Sequence, residues 1–205
     1  MDESEDNNGI KREASLSIPK STVAHFSAIP WVRTTLDDRD FHIVSMSRTI
    51  THSGHGHTLM AKTWNTDDTI KELLSLVRRS PSSVLPQSED KRTEVRRFYT
   101  LGGDLNAHPD LLHGGVISCI LDSSLGAAVG ATHPHAASSF FTVQLNVTYK
   151  NPVRTPGTVM VQSWVTKSEG GGRKVWAKGM IASEGVVHAE AEGLWVRAKG
   201  NSEKL

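Results

Sequence analysis

The order of apolar patterns in this 205-residue chain predicts an α+β fold, a meander of strands packed on one long helix. Three stretches carry that expectation. GGVISCILDSSLGAAVGA, starting at Gly114, is too long and too apolar on every side for a surface strand and reads as a buried helix. SFFTVQLNVTY follows. In it Phe141, Val143, Leu145, Val147 and Tyr149 alternate with polar residues, the period of two of a strand with one apolar face. GTVMVQSWVTKSE, RKVWAKGMIASE and VVHAEAEGLWVRA then give three more strands. Tight hairpins are expected between them at Gly170–Gly172 and at Glu184 and Gly185.

The elements before the helix read as follows. Residues 1–20 are polar, charged and without period, the composition of a disordered tail. SAIPWV, Ser27–Val32, is a short apolar anchor able to dock on the body. TDDTIKELLSLVRR places Ile70, Leu73, Leu74 and Val77 at helical spacing behind Asp67 or Asp68 as cap, which predicts an amphipathic helix. The Pro- and Ser-rich stretch 80–91 is a loop. It divides an N-terminal extension, 21–90, from a main domain, 91–199. That domain opens with the candidate strand TEVRRFYTL and the loop GGDLNAHPDLLH.

Composition excludes several classes. With 23 Lys and Arg against 22 Asp and Glu there is no strong field to attract nucleic acid. One cysteine, Cys119, rules out an intrachain disulfide and any multi-cysteine zinc site, which fits a reducing compartment. No apolar run approaches the ~20 residues of a bilayer span. The acidic start MDESEDNNG lacks the basic-then-apolar order of a signal peptide, so a cytoplasmic protein is expected.

The chemistry concentrates around the long helix. It begins at Gly114 just after His113, and its first amides lie at the positive end of the helix dipole without internal partners. Glycine there lets a ligand approach the backbone, and such amides can hold a developing oxyanion. Glycines at a helix start are equally a plain tight turn. Asp122 is the only charge in the segment. A carboxylate in an apolar helix is either satisfied by a hydroxyl or arginine, or tuned by a pocket as base or nucleophile. Eight residues of helix separate Gly114 from Asp122 by ~12 Å. One copy therefore cannot bring both to one carbonyl, whereas two antiparallel copies in a symmetric dimer can.

HGGVISCILDSSLG, FTVQLNVTYKNP and EGGGRKVWAKG together resemble the hotdog-fold acyl-CoA thioesterases of the PaaI and thioesterase superfamily member 4 type. The resemblance spans about half the chain. It implies a long helix wrapped by a curved antiparallel sheet, assembled as dimers or dimers of dimers. It also implies hydrolysis of an acyl thioester, carried by coenzyme A or by a carrier protein, with no cofactor beyond the coenzyme A of the substrate. By the same resemblance Asp122 is the base or nucleophile, Gly114 supplies the amide, His113 shapes the site, and Thr142 assists the carboxylate and water. Some members use an Asn six residues before the histidine. Ala107 stands there and Asn106 one residue earlier, so either the loop is one residue longer and Asn106 takes the role, or the role is missing. Gly115, Lys150, Arg154, Arg173 and Lys174 are candidates for the substrate's coenzyme A, the pair Arg173 and Lys174 as phosphate contacts.

Other features point elsewhere only weakly. His52, His55 and His57 lack an acidic companion at helical spacing, so no metal is expected. Ser118, Ser123 and Ser124 lack a nucleophile elbow. Cys119 reads as core, and Trp164, Trp176 and Trp195 as strand packing. Two alternatives to hydrolysis remain: a hotdog dehydratase of 3-hydroxyacyl thioesters, and a non-catalytic module that binds acyl thioesters.

Overall fold

A computed structural model describes residues 18–44, 48, 56–82, 85, 88, 89 and 91–198. Most of the expected tail, 1–20, lies outside these residues, as do His52 and His55. The described chain forms helices α1 (Lys20–Ser27), α2 (Pro30–Leu36) and α3 (Gly114–Thr132). Its strands are β1 (His42–Val44), β2 (Ile70–Arg78), β3 (Glu94–Leu101), β4 (Asn106–His108), β5 (Leu111–Leu112), β6 (Phe140–Tyr149), β7 (Gly157–Glu169), β8 (Lys174–Ser183) and β9 (Val186–Arg197). Seven strands make one antiparallel sheet in the order β1-β2-β3-β7-β8-β9-β6, and β4 and β5 form a small separate hairpin. This is the expected α+β hotdog arrangement, a long helix laid on a large antiparallel sheet.

Alternation along the strands sorts side chains between two layers. Val159, Val161 and Val165 of β7, Val175, Ala177 and Ile181 of β8, and Ala189, Ala191 and Trp195 of β9 are buried in one core with Ile120, Leu121, Leu125 and Val129 of α3. Burial of each large aliphatic side chain here contributes ~1.5–3 kcal/mol. Gly179 permits the close approach: a side chain there would meet Leu125 Cδ1 and the Gln162 carbonyl oxygen at 2.7 Å. The hairpin between β7 and β8 turns through Gly170, Gly171 and Gly172, all in the left-handed region, where three successive side chains would be strained.

The stretch Thr66–Arg79 corrects the sequence expectation: it is not an amphipathic helix but contains strand β2. Both faces of β2 are covered, so its apolar residues run almost continuously and imitate a helical period. Leu74 and Leu76 join Phe26, Val32, Phe41 and Phe98 under α1 and α2, while Leu73 joins the α3 core. The extension thus adds β1 and β2 to the sheet edge and lays two helices on its outer face. The SAIPWV anchor docks there, with Val32 buried and Trp31 5.9 Å from the Phe98 ring.

Helix α3 is also not apolar and buried all round. Gly115 and Cys119 are exposed, and Ser118, Asp122, Gly126 and Gly130 are half-buried, forming a stripe of small residues along one side. By length and composition alone α3, with a mean hydropathy of 1.4, is apolar enough to cross a membrane, as the core helix of a soluble protein also is. In the fold it packs along the sheet.

Candidate active site

Helix α3 starts where the β4–β5 hairpin hands over the chain. His113 is the N-cap, and its backbone N–H donates to the Leu105 carbonyl at 2.9 Å. Its Nδ1 accepts the Gly115 N–H at 2.8 Å. That contact satisfies one of the amides a helix start leaves open. The Gly114 N–H has no acceptor among the described residues. On the other side of Gly114, Tyr149 from the end of β6 donates to its carbonyl at 2.9 Å, and the Tyr149 and Ser118 hydroxyls are 2.6 Å apart. Asn106 sits beside this start through the pairing of β4 with Leu112, its Oδ1 accepting from the buried Thr155 hydroxyl at 2.6 Å.

Asp122 lies two turns further along. Thr142 donates to Asp122 Oδ1 at 2.9 Å from β6, where the pairing with β9 is irregular between Thr142 and Gln144. Both residues line an open cavity of about 700 Å³, within the range of small-molecule sites. Its walls are partly apolar, from Leu59, Met60, Phe140 and Trp195, and partly polar, from Arg97 and Ser123. Cys119 lines it too, so this residue is not core as expected but exposed. Its thiol pKa is raised, first by burial and then by the charge of Asp122, which keeps the sulfur protonated and a poor nucleophile. His57 reaches the cavity from the extension.

The expected site residues therefore fall into two groups. Asp122 and Thr142 meet on the cavity. His113, Gly114, Gly115 and Asn106 gather at the helix start and do not line it. The candidates for coenzyme A divide the same way. Arg154 pairs through its backbone with Leu111 near the helix start, and Lys150, next to Tyr149, is ion-paired with Glu190 at 2.6 Å. Arg173 and Lys174 are exposed at the far end, following the glycine turn whose Gly172 packs near His133 at the α3 C-cap. The 19 residues of α3 hold these ends ~28 Å apart.

Sequence reading missed three contributors. Tyr149 was only a strand residue, although Gly114 and Ser118, one turn apart, both lie within its reach. Leu59 and Met60 belong to a short π-helical turn, Leu59–Thr63, that carries no pattern of its own. Arg97 looked like one charge in TEVRRFYTL, yet it is buried.

Residues 110–170 match the model of the thioesterase superfamily. An acyl-coenzyme A thioesterase THEM4 of Xenopus laevis is 36% identical over 98 residues, 47% of this chain and 41% of that protein. The Bos taurus acyl-coenzyme A thioesterase THEM4 is 29% identical over 116 residues, 56% of this chain and 44% of the relative. The chain thus spans less than half the length of these relatives. The crystal structure of zebra fish thioesterase superfamily member 2 superimposes with a TM-score of 0.48 at 16% identity, covering 60% of this chain and 81% of that one.

Proposed function

We propose that this chain, whose residues 110–170 match the thioesterase superfamily model, hydrolyses acyl thioesters, with acyl-CoA as the substrate class. The observation that carries this reading is the hydrogen-bonded pair of Asp122 and Thr142 on the wall of a substrate-sized cavity. The Gly114 amide polarises the thioester carbonyl. Asp122 of a second copy takes a proton from water as the water oxygen bonds to the carbonyl carbon. Collapse of the tetrahedral intermediate breaks the C–S bond, and the thiolate leaves with a proton. Thr142 occupies Oδ1 and leaves Oδ2 to accept the proton.

Three features support sharing the site between two copies. The separation of Gly114 and Asp122 along α3 exceeds the reach of one substrate carbonyl. The candidates for coenzyme A sit at opposite ends of the helix, which an antiparallel second helix brings together. Phe141 and Val143 are each 62% exposed, and Tyr149 is 52% exposed, on the edge strand β6, an apolar edge that a second copy covers.

The test is a thiol-release screen of the full chain over short, long and aromatic acyl-CoAs. Turnover that disappears in Asp122→Ala while the fold persists is the expected result. Near-normal turnover in that variant removes Asp122 from the mechanism, and loss of water without thiol release replaces hydrolysis by dehydration.

A further inference from the structure

Arg97 is 6% exposed and faces α3 from the middle of β3. Its Nε donates to the Ser75 hydroxyl at 3.4 Å. One terminal nitrogen donates to the Ser123 hydroxyl at 2.9 Å and to the Ser123 carbonyl at 3.1 Å. These acceptors are neutral. Among the described residues no carboxylate lies within ion-pair distance, and the other terminal nitrogen has no acceptor.

A guanidinium stays charged at any ordinary pH, and burying it without an anion is costly. The same residue lines the cavity that holds Asp122. A plain hydrocarbon chain in that cavity leaves the cation uncompensated, whereas a carboxylate can accept a charge-assisted hydrogen bond from the terminal nitrogen that the serines leave free. The other titratable groups on the cavity are His57, Cys119 and Asp122. Asp122 repels a second anion. Ser123, which holds the guanidinium, is its neighbour in sequence, so the two anionic positions are separated by only a short acyl chain.

We propose that Arg97 is a specificity-determining residue and that the cavity takes short acyl groups ending in a second carboxylate. This rests on the thioesterase reading for its activity assay but not for its binding assay. A competing role for Arg97 is to act only as countercharge to Asp122, which affects every substrate alike.

The experiment compares acyl-CoAs matched in chain length, pentanoyl with glutaryl and hexanoyl with adipoyl, against enzyme-free blanks. The wild-type protein is expected to favour the ω-carboxyacyl member in kcat/KM by about tenfold or more, the value of one good charge-assisted contact. Arg97→Met is expected to raise KM for glutaryl- and adipoyl-CoA by a larger factor than for the plain partners, so that the ratio of kcat/KM within each matched pair falls toward one. Arg97→Lys is expected to retain part of the preference. A wild-type protein indifferent to the ω-carboxylate overturns the proposal without any variant, as does an Arg97→Met variant that slows both members equally. Calorimetry with two non-hydrolysable thioethers, S-(4-carboxybutyl)-CoA and S-pentyl-CoA, reads the site without turnover. Tighter binding of the carboxylate by wild type, lost in Arg97→Met, upholds the assignment even where no thioester is cleaved, and equal affinity refutes it.

Discussion

Glu94 and Arg97 are two buried charges three residues apart on β3, and they face opposite sides of the sheet. Glu94 on the outer face has no exposed surface, and Arg78, Arg92 and Arg96 surround it at 3.2, 3.1 and 2.8 Å, with the Gln162 amide at 2.9 Å. Arg78 and Arg96 also stack over Phe41, and Arg92 over Trp164. Arg97 on the inner face has only serine partners among the described residues and opens on a cavity. The outer layer, closed by α1 and α2, satisfies its charge internally and acts as architecture. On the inner layer, Arg97 and Asp122 both line the cavity, where they can meet something that enters.

The largest test of that contrast acts on the inner face. Asp122→Asn is expected to lower kcat/KM by about 10²–10⁴-fold, the range of a lost general base, with the unfolding midpoint nearly unchanged. On the outer face the effect is the reverse. Glu94→Gln leaves Arg78 and Arg96 without their anion, and Arg92 with only the exposed Glu89, and should cost ~3–5 kcal/mol of stability, read as a lower urea midpoint. Comparable stability losses from Asp122→Asn and Glu94→Gln would erase the distinction between the two layers. Thr142→Val removes the hydrogen bond to Oδ1 and should slow hydrolysis by about tenfold, the value of one bond to a charged group. The smallest effect is on Cys119, whose thiol Asp122 holds above its ordinary range together with burial. Asp122→Asn removes the second cause, so the pKa falls and alkylation by iodoacetamide at a fixed mildly alkaline pH speeds up. An unchanged rate would place the carboxylate out of electrostatic reach.

The alternation of β7, β8 and β9 was legible in the sequence, as were the hairpins whose glycines have positive φ, whereas the period read for β6 breaks at the irregularity between Thr142 and Gln144 and leaves Phe141 and Val143 exposed. The length and start of α3 were legible for the same reason: a polar loop, a glycine pair and then a sustained apolar run. The pairing of Asp122 with Thr142 came through the resemblance, not through periodicity, since their 20-residue separation is closed only when β6 returns beside the helix. β2 was misread because a strand covered on both faces loses its alternation. The stripe through Gly115, Cys119, Asp122 and Gly126 was hidden because glycine and cysteine read as apolar wherever they lie. Arg97 was invisible because burial of a charge depends on β2, β3 and α3 converging, which no local pattern encodes.

The division of the site between two chains is tested most directly by subunit complementation. Gly114→Pro deletes the amide hydrogen at the first helical position, where proline is tolerated, and the nearest atoms to a β-carbon there belong to the Tyr149 side chain at 3.5 Å or more, an ordinary contact. Gly114→Pro and Asp122→Asn proteins should each be inactive alone. Unfolded and refolded together in equal amounts, they should recover about a quarter of wild-type thiol release, because half the dimers are mixed and each mixed dimer holds one intact site. No recovery, with mixed dimers demonstrated, would contradict a site built from Gly114 of one chain and Asp122 of the other.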